Sequence, residues 1–265
     1  MIAELTAGDD IPDFGRAADD YARHRQGFPP RLFDELATLG IGLPGQRVLD
    51  IGTGTGLMAR AMAGRGCEVT ALDPSERMIA TAIEEAEAAA LDIGHLIASA
   101  EKTGLPDSAF DVITAATCWH WFDREAAARE CRRLLAPGGR LVIAHQDWLS
   151  RPGNVIEATL ATIQRHSPPP KERQWTFQYP DWLLELVAQG FGDYRAVAFP
   201  AMLRHSQQAW VGRIVASAHI GPKLSPEGVA AFTVDFARVL ADGFPDPMDV
   251  EHRIFALVLD RESAG

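Results

Sequence analysis

The chain has 265 residues, room for one large α/β domain or two small ones at roughly 100 to 200 residues each. Hydrophobic residues make up 47% and charged residues 23%, the usage of folded soluble domains, which excludes intrinsic disorder and fibrous repeats. Twenty-five Lys and Arg against 36 Asp and Glu give a formal net charge of -11, a poor start for attracting polyphosphate, so no nucleic-acid partner is expected. The first residues show no basic stretch ahead of an apolar run, and no segment approaches the roughly 18 apolar residues of a spanning helix. A cytoplasmic protein without a membrane partner is the expectation. Cys67, Cys118 and Cys131 lack CxxC spacing, which points to reduced core thiols and to no metal site.

In chain order, RVLDI (from Arg47) reads as a strand, TGLMARAMAGRG as a helix and CEVTALD as a second strand. Asp73-Pro74-Ser75 ends that strand and offers Ser75 as an N-cap. The Ala- and Glu-rich stretch from Ser75 to Leu91 follows, a helix with Met78, Ile79 and Ile83 on one buried face. HLIAS and FDVITAATC are strands, DREAAARECRRLL is a helix stopped by Pro-Gly-Gly at 137–139, and RLVIAHQ is the next strand. This alternation predicts βαβ units and a parallel sheet with helices on both faces. After His145 the rhythm changes. A helix over Val155 to Arg165 and a Pro-rich, charged and aromatic run to Trp175 read as an insertion and a mobile lid. Helices near 181–189, 207–218 and 226–240 and strands near 194–202 and 251–259 complete the chain, the last strand joining the main sheet.

The most informative segment runs from Val48 to Gly56, VLDIGTGTG: a buried strand, an acidic residue near its end and glycines at 52, 54 and 56. Glycines let the backbone turn sharply and approach a ligand closely, as a nucleotide-type site requires. A dinucleotide fingerprint counted from Gly52 needs glycine at 57, where the chain has Leu57, and no P-loop sequence is present.

The pattern D-x-G-x-G-x-G at Asp50, Gly52, Gly54 and Gly56 resembles the first motif of the class I S-adenosylmethionine-dependent methyltransferases. ALDPSERM, SAEKTGLPDSAFDVI, CWHWFD and RLLAPGGRLVI follow in that family's order. YARHRQGFPP and HWFD are similar to the subgroup that includes trans-aconitate methyltransferases. The resemblance spans roughly residues 20 to 145 and implies a Rossmann-like, seven-stranded, mainly parallel sheet with an antiparallel last strand and a helical cap over about 148–180 and 204–245. It implies a cofactor-binding core at 1–147 and a cap or substrate region at 148–265 whose final strands complete the sheet.

The resemblance also implies residue roles around S-adenosyl-L-methionine. Amides near Gly52 and Thr53 meet the cofactor carboxylate, Gly54 and Gly56 keep the loop close, and Asp50 either organises that loop or meets the ammonium. Asp73 accepts the ribose hydroxyls, Pro74 and Met78 flank the adenine, and Ala100 and Glu101 touch its edge, unless Glu101 only caps a turn. Thr117 opens the crevice at the end of the fourth strand. Tyr21 and Arg25 cover the cofactor carboxylate, or form with Arg23 a solvated helix face.

For the acceptor, His120 and His145 are candidate general bases. Alternatively HWFD only shapes the cofactor pocket and His145 makes a structural hydrogen bond. Lys171, Arg173 and Arg204 offer cations for a carboxylate acceptor, and the aromatic residues of the cap suit a flat apolar one. The expected activity is methyl transfer to a small molecule, with oxygen preferred as the accepting atom. Two rivals stand beside it: an NAD-type oxidoreductase, opposed by Leu57 and by the HWFD and LAPGG stretches, and a non-catalytic S-adenosylmethionine-binding protein.

Overall fold

The strand RVLDI sits at the centre of the molecule because four of its five residues are apolar enough, or paired well enough, to be buried on both faces. A computed structural model describes residues 26–168, 180–217, 220–221 and 223–262. Its strands are β1 (Arg47–Ile51), β2 (Glu68–Asp73), β3 (Ile93–Ile97), β4 (Phe110–Ala116), β5 (Leu135–Trp148), β6 (Phe191–His205) and β7 (Met248–Arg261). They form one seven-stranded sheet in the order β3-β2-β1-β4-β5-β7-β6. β1 to β5 pair in parallel, and β7 runs antiparallel to both of its neighbours. The Rossmann-like α/β sheet expected from the sequence is the one observed. No helix among the described residues is long and apolar enough to cross a membrane, and no cluster of His, Cys, Asp or Glu among them could hold a metal ion. The three cysteines are free and buried.

Alternating side chains of the central strands feed two cores. Leu49, Ile51, Ile113, Ile143 and Leu257 face one, closed by α4 (Arg124–Leu134) and by Trp182 and Leu186 of α6 (Pro180–Ala188). Val48, Val112, Val142 and Ala256 face the other, closed by α1 (Pro30–Thr38) and α2 (Leu57–Ala63). Ser75 caps α3 (Glu76–Ala88) as expected, accepting from the Met78 amide at 3.4 Å. Its buried face corrects the expectation: Met78 and Ile79 are joined by Ala82 and Ala86, while Ile83 is exposed. Pro-Gly-Gly does not stop α4 either. The helix ends at Leu134, and the triplet lies in an irregular entry to β5, where the register moves from Phe110 opposite Leu135 to Val112 opposite Arg140.

A third core sits above the sheet. α5 (Val155–His166), α7 (Gln207–Val215) and α8 (Pro226–Gly243) pack Ile156, Trp210, Ile214, Phe232 and Phe236 against Met248 and Val250 of β7. This cap corrects the idea of a mobile insertion from Arg151. α5 buries Val155, Ile156 and Ile163 in the third core, Asn154 caps it by accepting from the Glu157 amide, and Arg151 pairs with Glu251 at 2.8 Å. The rest of the expected lid, residues 169–175, lies outside the described residues. β6 and β7 are longer than the sequence suggests because they pair with each other from Phe191–Arg261 to His205–Met248. β4 ends at Ala116, level with Ala144, whereas β5 continues to Trp148 and there pairs with β7 alone.

Candidate cofactor and acceptor site

Parallel strand ends leave a crevice where neighbouring connections diverge, and β1 and β4 are the strands between which this sheet reverses its order. Asp50, on the last turn of β1 before the glycine loop, is fully buried. Thr114 of β4 donates to its Oδ1 and Thr53 of the loop donates to its Oδ2, each at 2.6 Å. Burial nevertheless pushes its carboxyl up from the ordinary 3.8 to about 6, the two hydroxyls and the Ala59 amide opposing the rise and the charge of Asp73 adding to it. Asp73 closes the other side of the loop. Its Oδ2 accepts from the Gly54 amide at 3.0 Å and its Oδ1 from the Ser75 amide at 2.9 Å, while burial raises its pKa as well.

The first two glycines of the loop do different work. Both have left-handed backbone, φ +60 at Gly52 and +55 at Gly54. A Cβ at Gly52 would stand 3.0 Å from Cys118 and Phe122, so its glycine is required by protein packing; a Cβ at Gly54 would meet nothing within 4 Å. That open cradle, backed by the Asp73 carboxylate, is where a ligand can approach the main chain. Gly56 ends the loop at φ +80, as the N-cap of α2.

Thr117, directly after β4, has φ +62, an outlier for a β-branched residue, and its amide donates to the Ala144 carbonyl at 2.8 Å. The chain then folds back. The Cys118 thiol donates to the Ile51 carbonyl at 3.2 Å, Trp119–Trp121 form a 3-10 turn, and Phe122 sets its ring edge-on to Trp119 at 5.7 Å. Phe122 thus supports the glycine loop from below. His120 of this turn is half-buried, its ring 4.7 Å from Trp121 and 5.6 Å from His145 of β5. His145 is 3% exposed, with Trp182 of α6 5.2 Å away on its far side and Asp147 3.9 Å from its Nδ1.

Of the residues singled out in the sequence, the structure brings together Asp50, Gly52, Thr53, Gly54, Gly56, Asp73, Thr117, His120 and His145. Glu101 accepts from the Asp123 amide at 3.1 Å and so holds the start of α4, Ala100 and Met78 are buried, and Pro74 is exposed. Arg204 lies exposed on β6. Tyr21, Arg25, Lys171 and Arg173 lie outside the described residues. The sequence reading passed over Thr114 and Arg213, and took Trp182 only as one of the aromatic residues of the cap. Thr114 carried a signal, a hydroxyl in the buried, mostly apolar part of its strand, but its partner Asp50 is 64 residues away.

Asp50 yields a prediction about stability. With a folded pKa near 6 against 3.8 when unfolded, its contribution is fully present below pH 3.8 and is lost as pH rises through 6, where the buried charge forms. Asp50→Asn removes that charge and asks one threonine hydroxyl to turn its proton round. Since one pKa unit is worth about 1.4 kcal/mol and the rise is from 3.8 to about 6, the variant is expected to gain about 3 kcal/mol at pH 8 and almost nothing near pH 3. Thermal melts at the two pH values check this, and an equal effect at both pH values would contradict it.

Residues 49–143 match the family described as a methyltransferase domain. The chain is 32% identical over 195 residues to an uncharacterized methyltransferase of Mycobacterium tuberculosis, covering 66% of this chain and 75% of the relative. It is 36% identical over 147 residues to the ubiquinone biosynthesis O-methyltransferase of a Caulobacter species, covering 54% of this chain and 58% of that one. Among solved structures, the fold is similar to a phosphoethanolamine N-methyltransferase of Haemonchus contortus, with a TM-score of 0.58, 19% identity, and coverage of 96% of this chain and 60% of the other.

Proposed function

We propose that this chain, which belongs to the class I S-adenosylmethionine-dependent methyltransferases, methylates a small molecule at an oxygen atom. When bound, S-adenosylmethionine supplies a methyl group on a cationic sulfonium, already activated for displacement. The residues present fit such a group: two carboxylates made uncomfortable by burial, Asp50 and Asp73, flank a loop whose middle glycine leaves open space before its main chain. In this reading Asp73 receives the ribose hydroxyls on the lone pairs left free by the Gly54 and Ser75 amides. Asp50 organises the loop, both of its oxygens being engaged by threonines. Main-chain amides around Gly52, Thr53 and Gly54 receive the carboxylate, and Pro74, Met78, Ala100 and Glu101 line the adenine end.

The observation that carries the oxygen acceptor is the imidazole pair. His120 and His145 stand 5.6 Å apart beside the ends of β4 and β5, where a hydroxyl approaching the donor must give up its proton. His145 is too enclosed to meet an acceptor directly, so the base role passes to His120, with His145 and Trp182 holding its ring in place. The relatives named as O-methyltransferases support the same chemistry.

Transfer of labelled methyl groups to a panel of phenols, aliphatic alcohols, amines and thiols tests this reading. A hydroxyl acceptor is expected, and His120→Asn is expected to lower kcat by about 100-fold or more while the KM for S-adenosylmethionine stays within about twofold. Product on nitrogen or sulfur alone would overturn the oxygen assignment. Tight binding of S-adenosylhomocysteine with no product from any acceptor would favour the non-catalytic alternative.

A further inference from the structure

The end of the sheet opposite the glycine loop gathers arginines, in a chain whose formal net charge is -11. On the last turns of α4, Arg132 and Arg133 follow Arg129 by three and four residues, so the three share one side of the helix. Arg261, at the end of β7, joins them, and the turn over Ala188, Gln189 and Gly190 that leads from α6 into β6 closes the other side. Together they line a pocket of about 460 Å³ with no carboxylate in its walls, a volume in the range of small-molecule sites.

Two of the four guanidiniums have carboxylate partners. Arg129 pairs with Glu125 through one nitrogen at 2.5 Å, which leaves most of its N–H donors unused. Arg133 pairs with Glu130 at 2.8 Å and, from the solvent side, with the exposed Asp107. The other two have none. Arg261 donates only to neutral oxygens, the Leu135 carbonyl and the Ser108 hydroxyl. Arg132 makes no hydrogen bond or ion pair with any described residue, and its half-buried side chain encloses an Nε without an acceptor. Its position is nevertheless built. Gly190 ends the turn at φ +82, and a Cβ there would stand 2.6 Å from the Arg132 Nε and 2.8 Å from its Cζ. Glycine thus offers bare main chain as a seat for the guanidinium, which is held among other cations at a cost that an anion would relieve.

We infer that this pocket is a second ligand site, which takes the dianionic phosphoryl group of a small phosphate ester. Arg132 and Arg261 answer its two charges, the flat guanidinium of Arg132 meets phosphate oxygens through two parallel N–H bonds, and Arg129 adds donors from the rim. The space beyond one phosphate receives the organic part. The site is remote from the crevice: the eleven residues of α4, which begins beside the His120 turn, measure about 16 Å. It stands independently of the methyl-transfer reading.

Calorimetric titration of the full chain with phenyl phosphate and phenyl sulfate tests it. The two have the same shape, and above about pH 6 the phosphate carries one charge more. The phosphate is expected to bind at least about tenfold more tightly. Arg132→Met, which keeps the length of chain lying on Gly190, is expected to lower that affinity by about tenfold or more, with S-adenosylhomocysteine affinity and the melting temperature without phosphate unchanged. Arg129→Gln, at an exposed residue, is the second variant where the first folds poorly, with an expected loss of about threefold. Glycerol 3-phosphate and phosphatidylcholine vesicles with and without phosphatidic acid separate the two sources of such a group: binding of the first that falls in the variants assigns a soluble ester, and phosphatidate-dependent binding of the vesicles alone that falls in them assigns a lipid headgroup. Equal binding of phosphate and sulfate, no binding of any phosphate ester, or affinity that survives both substitutions overturns the proposal.

Discussion

Asp73→Ala is expected to weaken binding of S-adenosylhomocysteine by about 100-fold or more, with little change in melting temperature. Charge-assisted hydrogen bonds to a diol are worth about twice neutral ones, and the substitution removes more than the ligand contact. The Gly54 and Ser75 amides lose their common acceptor, so the loop that meets the ligand is no longer tied to the end of β2. Folding should tolerate the change because burial already disfavours the charge, and alanine keeps the strand end. Calorimetry and thermal melts on the same samples measure the two effects. Unchanged affinity would remove Asp73 from the cofactor site, and a large fall in melting temperature would make it a structural clamp first.

Two valine substitutions only two residues apart are expected to fail in opposite ways. Gly54→Val should yield a folded protein that no longer binds the cofactor product: its Cβ meets no protein atom, so the cost to the fold is the left-handed backbone, about 1 to 2 kcal/mol, while the added branches fill the cradle before the main chain. Gly52→Val should instead unfold the protein or lower its stability by about 3 to 5 kcal/mol, because the same backbone strain is joined by overpacking against Cys118 and Phe122 at 3.0 Å. Denaturant melts separate the pair, and titration of the surviving variant completes the comparison. If Gly54→Val binds normally, the loop is merely a tight connection between β1 and α2.

The glycine loop and the strand-helix alternation were legible because their signals are local. A left-handed turn favours glycine wherever it occurs, and an apolar run flanked by turn residues reads as a strand without knowledge of its neighbours. What stayed hidden was set by contacts distant in sequence. That a Cβ at Gly52 would meet Phe122 while one at Gly54 would meet open space cannot be read from two identical letters. Ile83 suits the helical spacing of a buried face, yet the sheet accepts Ala82 and Ala86 in its place. Pro-Gly-Gly reads as a helix stop, but the chain tolerates it inside β5 because the register there carries extra residues. The cap was read as loose because Val155 and Ile163 find their partners on α7 and α8, far along the chain. Arg213 was invisible for a related reason: in sequence it is one arginine among many, and only the enclosing helices show that its charge is buried.

One face of β7 carries Met248 and Val250 into the cap core, passes through the buried His252, and continues with Ile254, Ala256 and Val258 into the core under the sheet. For an engineer who wants a new acceptor scope, that unbroken ladder divides the permissible edits from the forbidden ones. Side chains on α5, α7 and α8 that face one another can be exchanged in combination, provided that those meeting Trp148 of β5, His205 of β6 and this strand keep their fit. A single residue inserted between Val250 and Ile254, however, would turn one of the two sets outward, because strand side chains alternate with a period of two. Diversification of the cap therefore has to proceed by substitution at constant strand length, or by insertions of two residues that keep both sets facing inward.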